Sequence, residues 1–274
     1  MTREQRGVVF ADIDGTLIGP RRDVGRAHND TSTHEVDDVG ATDANGNVIA
    51  WRTSEQRALY SWLQQVGDVV AVTGRSVGAY GRVRLPFAPH AIVHHGAVIL
   101  GSEGEAFRAA TRPLLLESAP VLREAHAGLL ALIATQPSLR VTTQTVEGQL
   151  VEVCVKHRDP NLDRGTIAGR ELPSVVADDI EGLWRALPDV RVHRNGNNLA
   201  VLPRRVTKAR AVLWLREHVY TDIDIAFGAG DSVSDYGFMA ACDVALVPTK
   251  SQLDRRLLSL TVDDDNTGNR SRRD

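Results

Sequence analysis

The stretch Val8-Val9-Phe10-Ala11-Asp12-Ile13-Asp14-Gly15-Thr16-Leu17 decides the fold. It is a short apolar run that ends in two carboxylates spaced i, i+2 and passes at once into a Gly turn. A run of that length bounded by a turn signal reads as a buried strand of a parallel sheet. Open α/β sheets bind ligands in the crevice at the carboxyl ends of their strands, which is where Asp12 and Asp14 fall. Burying charged carboxylates is costly unless a cation or hydrogen-bond donors compensate. The simplest compensation for paired acids is a hard metal, most often magnesium. The segment therefore points to a metal-assisted site.

Composition narrows the classes. At 274 residues the chain exceeds one average domain. With 32 basic against 35 acidic residues the formal net charge is −3, and no basic stripe is present to gather nucleic acid. The apolar fraction of 42% and charged fraction of 24% are those of an ordinary globular protein. The two cysteines, Cys154 and Cys242, lie far apart and fit no metal-ligand spacing, so they read as small core residues in a reducing compartment. Asp12 and Asp14 interrupt the only apolar run of residues 1–20, which removes a secretory reading, and no stretch approaches a membrane span. A soluble, cytoplasmic protein with no nucleic-acid or membrane partner is expected.

Along the chain, 8–13 is the first strand and 19–38 a long polar loop. Asp43-Ala44-Asn45-Gly46 sits between β-prone flanks and predicts a hairpin. Thr53 or Ser54 can cap a helix to about Val66, with Ala58, Leu59, Trp62, Leu63 and Val66 on one face. A second buried strand, 68–73, ends in Thr73-Gly74-Arg75-Ser76, and 91–100 is a strand pair or one strand turning at Gly96. The character then changes. Residues 114–135 are helical in period but broken by Pro120, and 140–146 and 149–156 pair across Glu147-Gly148. A helix near 175–187 and a second hairpin, 190–193 with 199–202, follow. Strand–helix alternation resumes with a helix at 207–219 and strands at 223–227 and 243–247. The expected architecture is thus an α/β Rossmann-like parallel-sheet core, 1–100 and 202–260, with an inserted α+β domain, 101–201. The polar tail 261–274 is expected to be disordered.

Three further features join the paired aspartates. Thr73-Gly74-Arg75 offers a hydroxyl and backbone N–H groups to an anion at a strand end. Lys208, near a helix start, is a point charge able to hold a phosphoryl oxygen. Gly228-Ala229-Gly230-Asp231-Ser232-Val233-Ser234-Asp235 places two more carboxylates on a Gly-rich turn entering a helix. Alone, each has a plain reading: Thr73 as a helix cap, Lys208 as a solvated residue, Asp235 as a first-turn acid favoured by the helix dipole. Together they can cradle a phosphate and a magnesium ion.

In order and context these residues resemble the haloacid dehalogenase (HAD) superfamily of phosphohydrolases. Its first motif, Asp-x-Asp-Gly-Thr-Leu, is matched by Asp12 to Leu17, and its second, in the Thr-Gly-Arg form of Cof-like members, by Thr73. The third, a helical Lys, is matched by Lys208 and the fourth, Gly-Asp-Ser-x-x-Asp, by Gly230 to Asp235. The long insertion between the second and third motifs resembles the type IIB cap of Cof-like sugar phosphatases and sucrose-phosphate phosphatases. Such a cap closes over the core, excludes water and sets selectivity.

The resemblance implies a Mg2+-dependent phosphatase acting on a small phosphorylated metabolite, with a sugar phosphate expected. Asp12 is then the nucleophile and Asp14 the acid and base; Thr73, Gly74 and Lys208 bind phosphate. Asp12, Asp14 (through its backbone carbonyl) and Asp231 hold the metal, while Ser232 and Asp235 support them, Asp235 by orienting Lys208 or metal-bound water. Arg75, His95 and Asn198 are candidate substrate contacts, although 194–198 also reads as a plain turn. The presence of Asp14 favours phosphate esters over halides, since only the former need a proton on the leaving group. Sugar-phosphate phosphotransfer of the mutase kind and a catalytically silent metabolite-binding module are the rival expectations. Two positions depart from the Cof-like pattern: His95-Gly96 stands where Asn-Gly is usual, and Ser234 where Asn is usual.

Overall fold

The computed structural model describes residues 6–20, 39–135, 138–157, 187, 189–195 and 198–267. The loop at 21–38, with Arg21, Arg22 and Arg26, and the helix expected near 175–187, with Trp184, lie outside the described residues. Along the chain the elements begin with β1 (Gly7–Ala11), β2 (Val39–Thr42), β3 (Val48–Trp51), α1 (Ser54–Val66), β4 (Gly67–Val72), α2 (Val77–Tyr80) and β5 (Ala91–Val93). Next come β6 (Val98–Leu100), α3 (Gly104–Thr135), β7 (Leu139–Val146), β8 (Gln149–His157), β9 (Val190–Asn195) and β10 (Asn198–Pro203). The last are α4 (Lys208–His218), β11 (Ile225–Ala229), α5 (Tyr236–Met239), β12 (Val244–Leu246) and α6 (Gln252–Thr267).

Two compact units result, one of residues 1–92 and 212–274, the other of residues 93–211. In the first, parallel strands run in the order β12-β11-β1-β4-β5. β1 is central, with Val8, Val9, Phe10 and Ala11 fully buried, as a continuous apolar run flanked by strands on both edges requires. Phe10 meets Tyr220 edge-on at 5.9 Å. From β1 the chain runs outward to β4 and β5, and from β11 outward to β12 on the other side, so the order reverses between β1 and β11 and their carboxyl ends flank a crevice of the kind that holds ligands.

Local chemistry explains the flanking elements. Asp43 closes the β2–β3 hairpin by accepting from the Asn45 and Asn47 backbone N–H groups at 2.8 and 2.9 Å. Thr53 and Gln56 form a reciprocal capping box that starts α1. The buried face of α1 is Tyr60 and Leu63, rather than the stripe expected through Trp62, which is exposed and lies edge-on to Phe227. Trp214, on α4, is half-buried and stacks on His218. The polar end of the chain brings a correction: α6 continues to Thr267, so 261–267, expected as disordered tail, prolongs an established helix. Each added residue there gains a hydrogen bond without a new nucleation cost.

In the second unit an antiparallel sheet of order β7-β8-β10-β9 packs one face on α3. Val153, Val155, Leu199, Val201 and Val190 meet Leu122, Ala125 and Leu129 there. Glu147 and Gly148, both at positive φ, make the tight β7–β8 turn. Pro120 does not break the helix as its residue type leads one to expect. Pro113 and Pro120 both sit inside α3 on its exposed side, where the carbonyls they leave unpaired can bond to water. The division between units falls at 92/93 and 211/212, against the expected 100/101 and 201/202. Its origin is a close approach within the second unit: a β-carbon on Gly96 would lie 2.2 Å from the Thr207 carbonyl oxygen. The start of α4 therefore packs with the 94–96 turn.

Candidate active site

Asp12 follows β1 and extends its pairing by one bond, its N–H donating to the Ala229 carbonyl at 2.8 Å. The chain then folds tightly. Leu17 and Ile18 N–H groups both donate to the Ile13 carbonyl, and Gly15 N–H donates to Ile18 O. Ile13, Leu17 and Ile18 are fully buried and anchor this loop. Gly15 adopts φ +91°, the left-handed region that suits glycine.

The β11 loop approaches the same place. Carboxylate oxygens of Asp12, Asp231 and Asp235 lie within 4.8 Å of one another. Asp12 and Asp235 are buried and Asp231 half-buried. Three such acids repel strongly unless protons or a cation intervene. Their oxygen-only donor set suits a hard divalent ion such as magnesium. Asp235 is oriented by Ser232, whose N–H and Oγ–H donate to its Oδ2 at 3.1 and 2.6 Å. Ser234 Oγ lies 2.8 Å from Ser232 Oγ, so the position at which this chain departs from the usual Asn joins the same chain of hydroxyls. The Asp231 carbonyl accepts from Leu253 N–H at 2.8 Å, which ties the loop to the start of α6.

Asp235 therefore stands among the convergent acids, whereas the expected set gave it a supporting role. Asp14 is turned elsewhere. Arg75 Nε and Nη2 donate to its two oxygens at 2.7 and 2.6 Å, a fork-on-fork pair. Burial opposes the charge on Arg75, but the Asp14 hydrogen bonds and the charges of Asp14 and Asp12 outweigh it and raise the guanidinium pKa. Thr73 directly follows β4 and is buried; its N–H donates to Ile92 O, and its Oγ1 accepts from Arg75 N–H at 3.1 Å. Gly74 separates the two. Thr16, which sequence reasoning did not single out, is also buried, and its Oγ1 finds no hydrogen-bond partner among the described residues.

Lys208 and His95 belong to the second unit, and so does Asn198, which opens β10 and whose side chain lies outside the described residues. Lys208 is the first residue of α4 and is buried. A strand continuing through 91–100 would set His94 and His95 on opposite faces. Instead His94, His95 and Gly96 form one turn at φ 50°, 55° and 100°, imposed by the close packing of Gly96 on the Thr207–Lys208 peptide. That turn sets the His95 ring 5.4 Å from the His193 ring and its Nε2 3.8 Å from Glu152 Oε2. Burial, reinforced by His193, Lys208 and Arg191, holds the His95 pKa well below 6.5, so His95 is neutral near pH 7 and the Glu152 contact is not an ion pair.

Sequence reasoning missed Glu152, Arg191 and His193. Burial raises the Glu152 carboxyl pKa, against Lys156 and Arg191, while burial lowers the Arg191 guanidinium to about 10, against Glu152. The available signal was the polar alternation Glu152-x-Cys154-x-Lys156 on β8 and Arg191-x-His193 on β9, which marks one face of the sheet opposite the α3-packed core.

No protein-family model matches the chain, and no curated protein matches its sequence. Solved structures do match. The sucrose-phosphatase of Synechocystis, solved with sucrose and phosphate, superposes with a TM-score of 0.50 at 14% identity, over 95% of this chain and 99% of that one. A trehalose-6-phosphate phosphatase related protein gives 0.46 at 18% identity, over 94% and 99% of the two chains. The C-terminal domain of the C. albicans trehalose-6-phosphate phosphatase gives 0.47 at 13%, over 95% and 78%. The chain shares the fold of the Synechocystis sucrose-phosphatase: a Rossmann-like α/β core carrying an inserted α+β domain.

Proposed function

We propose that this chain is a Mg2+-dependent phosphatase that hydrolyses a small phosphorylated metabolite, a sugar phosphate by preference, through an aspartyl-phosphate. The observation that carries the proposal is the convergence of Asp12, Asp231 and Asp235 at the carboxyl end of a parallel sheet. Asp12, Asp231 and Asp235, with the Asp14 backbone carbonyl, would hold the metal. When bound, the ion offsets the repulsion between these acids and an incoming phosphoryl group and polarises a phosphoryl oxygen.

The residues act in two displacements. An Asp12 carboxylate oxygen attacks phosphorus, the bond to the leaving oxygen breaks, and Asp14 gives that oxygen a proton. Water then attacks the same phosphorus while Asp14 accepts its proton; the P–O bond to Asp12 breaks, releasing inorganic phosphate and restoring the Asp12 carboxylate and the protonated Asp14. Thr73 Oγ–H and the Gly74 N–H hold phosphoryl oxygens, with Lys208 assigned to a third on the resemblance in sequence alone. Selectivity among esters is assigned to the second unit.

The test is phosphate release from p-nitrophenyl phosphate and a panel of sugar phosphates, with Mg2+ and with chelator. Release that needs Mg2+ supports the reading. An isomeric ester in place of free phosphate indicates phosphotransfer, and binding without turnover indicates a silent module; either overturns it.

A further inference from the structure

We infer that Arg75 is the positioning residue for proton transfer by Asp14, fixing the carboxylate that serves the leaving oxygen. The inference rests on the hydrolytic reading above and adds to it a residue with an assigned task.

The Asp14 side chain is half exposed, at 50%, while that of Arg75 is 13% exposed. An aspartate so placed samples several rotamers unless something holds it. Arg75 holds it through both oxygens, at 2.7 and 2.6 Å, which fixes the plane of the carboxylate as well as its position. The guanidinium is itself constrained. Its Nη1 donates to the Ala79 carbonyl at 3.4 Å, and its own backbone N–H is tied to Thr73 Oγ1. The turn that offers Thr73 and Gly74 to a phosphate thus also aims Asp14, so one short segment sets both the phosphoryl site and the proton carrier. A lysine would supply the charge at this position but not the two-pronged geometry.

Proton delivery matters only when the leaving oxygen is a poor leaving group. A sugar or alkyl phosphate needs it, whereas dinitrophenyl phosphate expels a stable phenolate without it. The experiment compares kcat/KM for a sugar phosphate with kcat/KM for dinitrophenyl phosphate in wild type, Asp14→Asn, Arg75→Ala and Arg75→Lys. The ratio is internal, so differences in the amount of folded enzyme cancel, and Arg75→Lys serves if Arg75→Ala fails to fold. A general acid contributes about 10²–10⁴-fold, so Asp14→Asn should lower the ratio strongly and Arg75→Ala by at least about tenfold, with partial recovery in Arg75→Lys. If Arg75→Ala lowers both rates equally, Arg75 touches the phosphoryl group instead. If the ratio stays unchanged or rises, Arg75 does not aim Asp14. Either result overturns the inference. A wild-type protein inert on both esters overturns the hydrolytic reading and this inference with it.

Discussion

Gly15 and Asp231 pack so closely that a β-carbon at position 15 would lie 2.3 Å from Asp231 Oδ2. The first and last of the four sequence motifs are therefore joined through a glycine. Its φ of +91° disfavours other residues on backbone grounds as well. Gly15→Ala must displace the Asp231 carboxylate and should cost about 1–3 kcal/mol of stability. Thermal unfolding measured with and without Mg2+ should show a lower Tm and a diminished Mg2+-induced rise.

Asp12→Asn tests the acid group from the opposite direction. Asp12 is buried, 6% exposed, beside two other carboxylates. Turnover should fall to background, since an amide is no nucleophile here. Without metal, however, loss of one like charge should stabilise the fold by on the order of 1 kcal/mol, or about 2–4 °C in Tm for a chain of this size. On the proposed reading magnesium should stabilise wild type by binding the folded state, and should do so less in the variant.

Glu152 supplies a pH dependence. Burial raises its pKa above 4.5, with Lys156 and Arg191 opposing the rise. A folded-state pKa above the unfolded one means that the group's stabilising contribution is full below 4.5 and is lost as pH rises through the folded value. Glu152→Gln removes that loss and keeps an acceptor for Gln144, which donates to Glu152 at 3.1 Å. The variant should match wild type below 4.5 and show the higher Tm at neutral pH, as read from melting curves across that range.

Both thiols should be inert in the folded protein. Burial pushes Cys154 and Cys242 up to about 12, so almost no thiolate is present at pH 8 to react. Native protein should label slowly with a thiol reagent, and both cysteines should label at once in denaturant.

Where local chemistry decides the backbone, the sequence was legible. The apolar run into Asp12, the hairpins at Asn45-Gly46 and Glu147-Gly148, and the Thr53 cap are each specified by residues adjacent in the chain. What escaped was set by distant contacts. The left-handed turn at His94 and His95 follows from Gly96 packing on Thr207, and the survival of α3 through Pro113 and Pro120 depends on which side faces water. The same holds at the site. Asp12 and Asp231 could be named from their motifs, but that Asp235 converges with them while Asp14 pairs with Arg75 depends on how two loops meet.

Trapping a phosphoryl group on the protein shows whether Asp12 is the nucleophile. Wild-type protein is mixed with Mg2+ and a turned-over phosphate ester, quenched in acid within the first turnovers, and its peptides are weighed by mass spectrometry. A phosphoryl group is expected on the peptide that contains Asp12, at the Asp12 carboxylate, and none on Asp12→Asn. Phosphate release that proceeds at the wild-type rate in Asp12→Asn would contradict it.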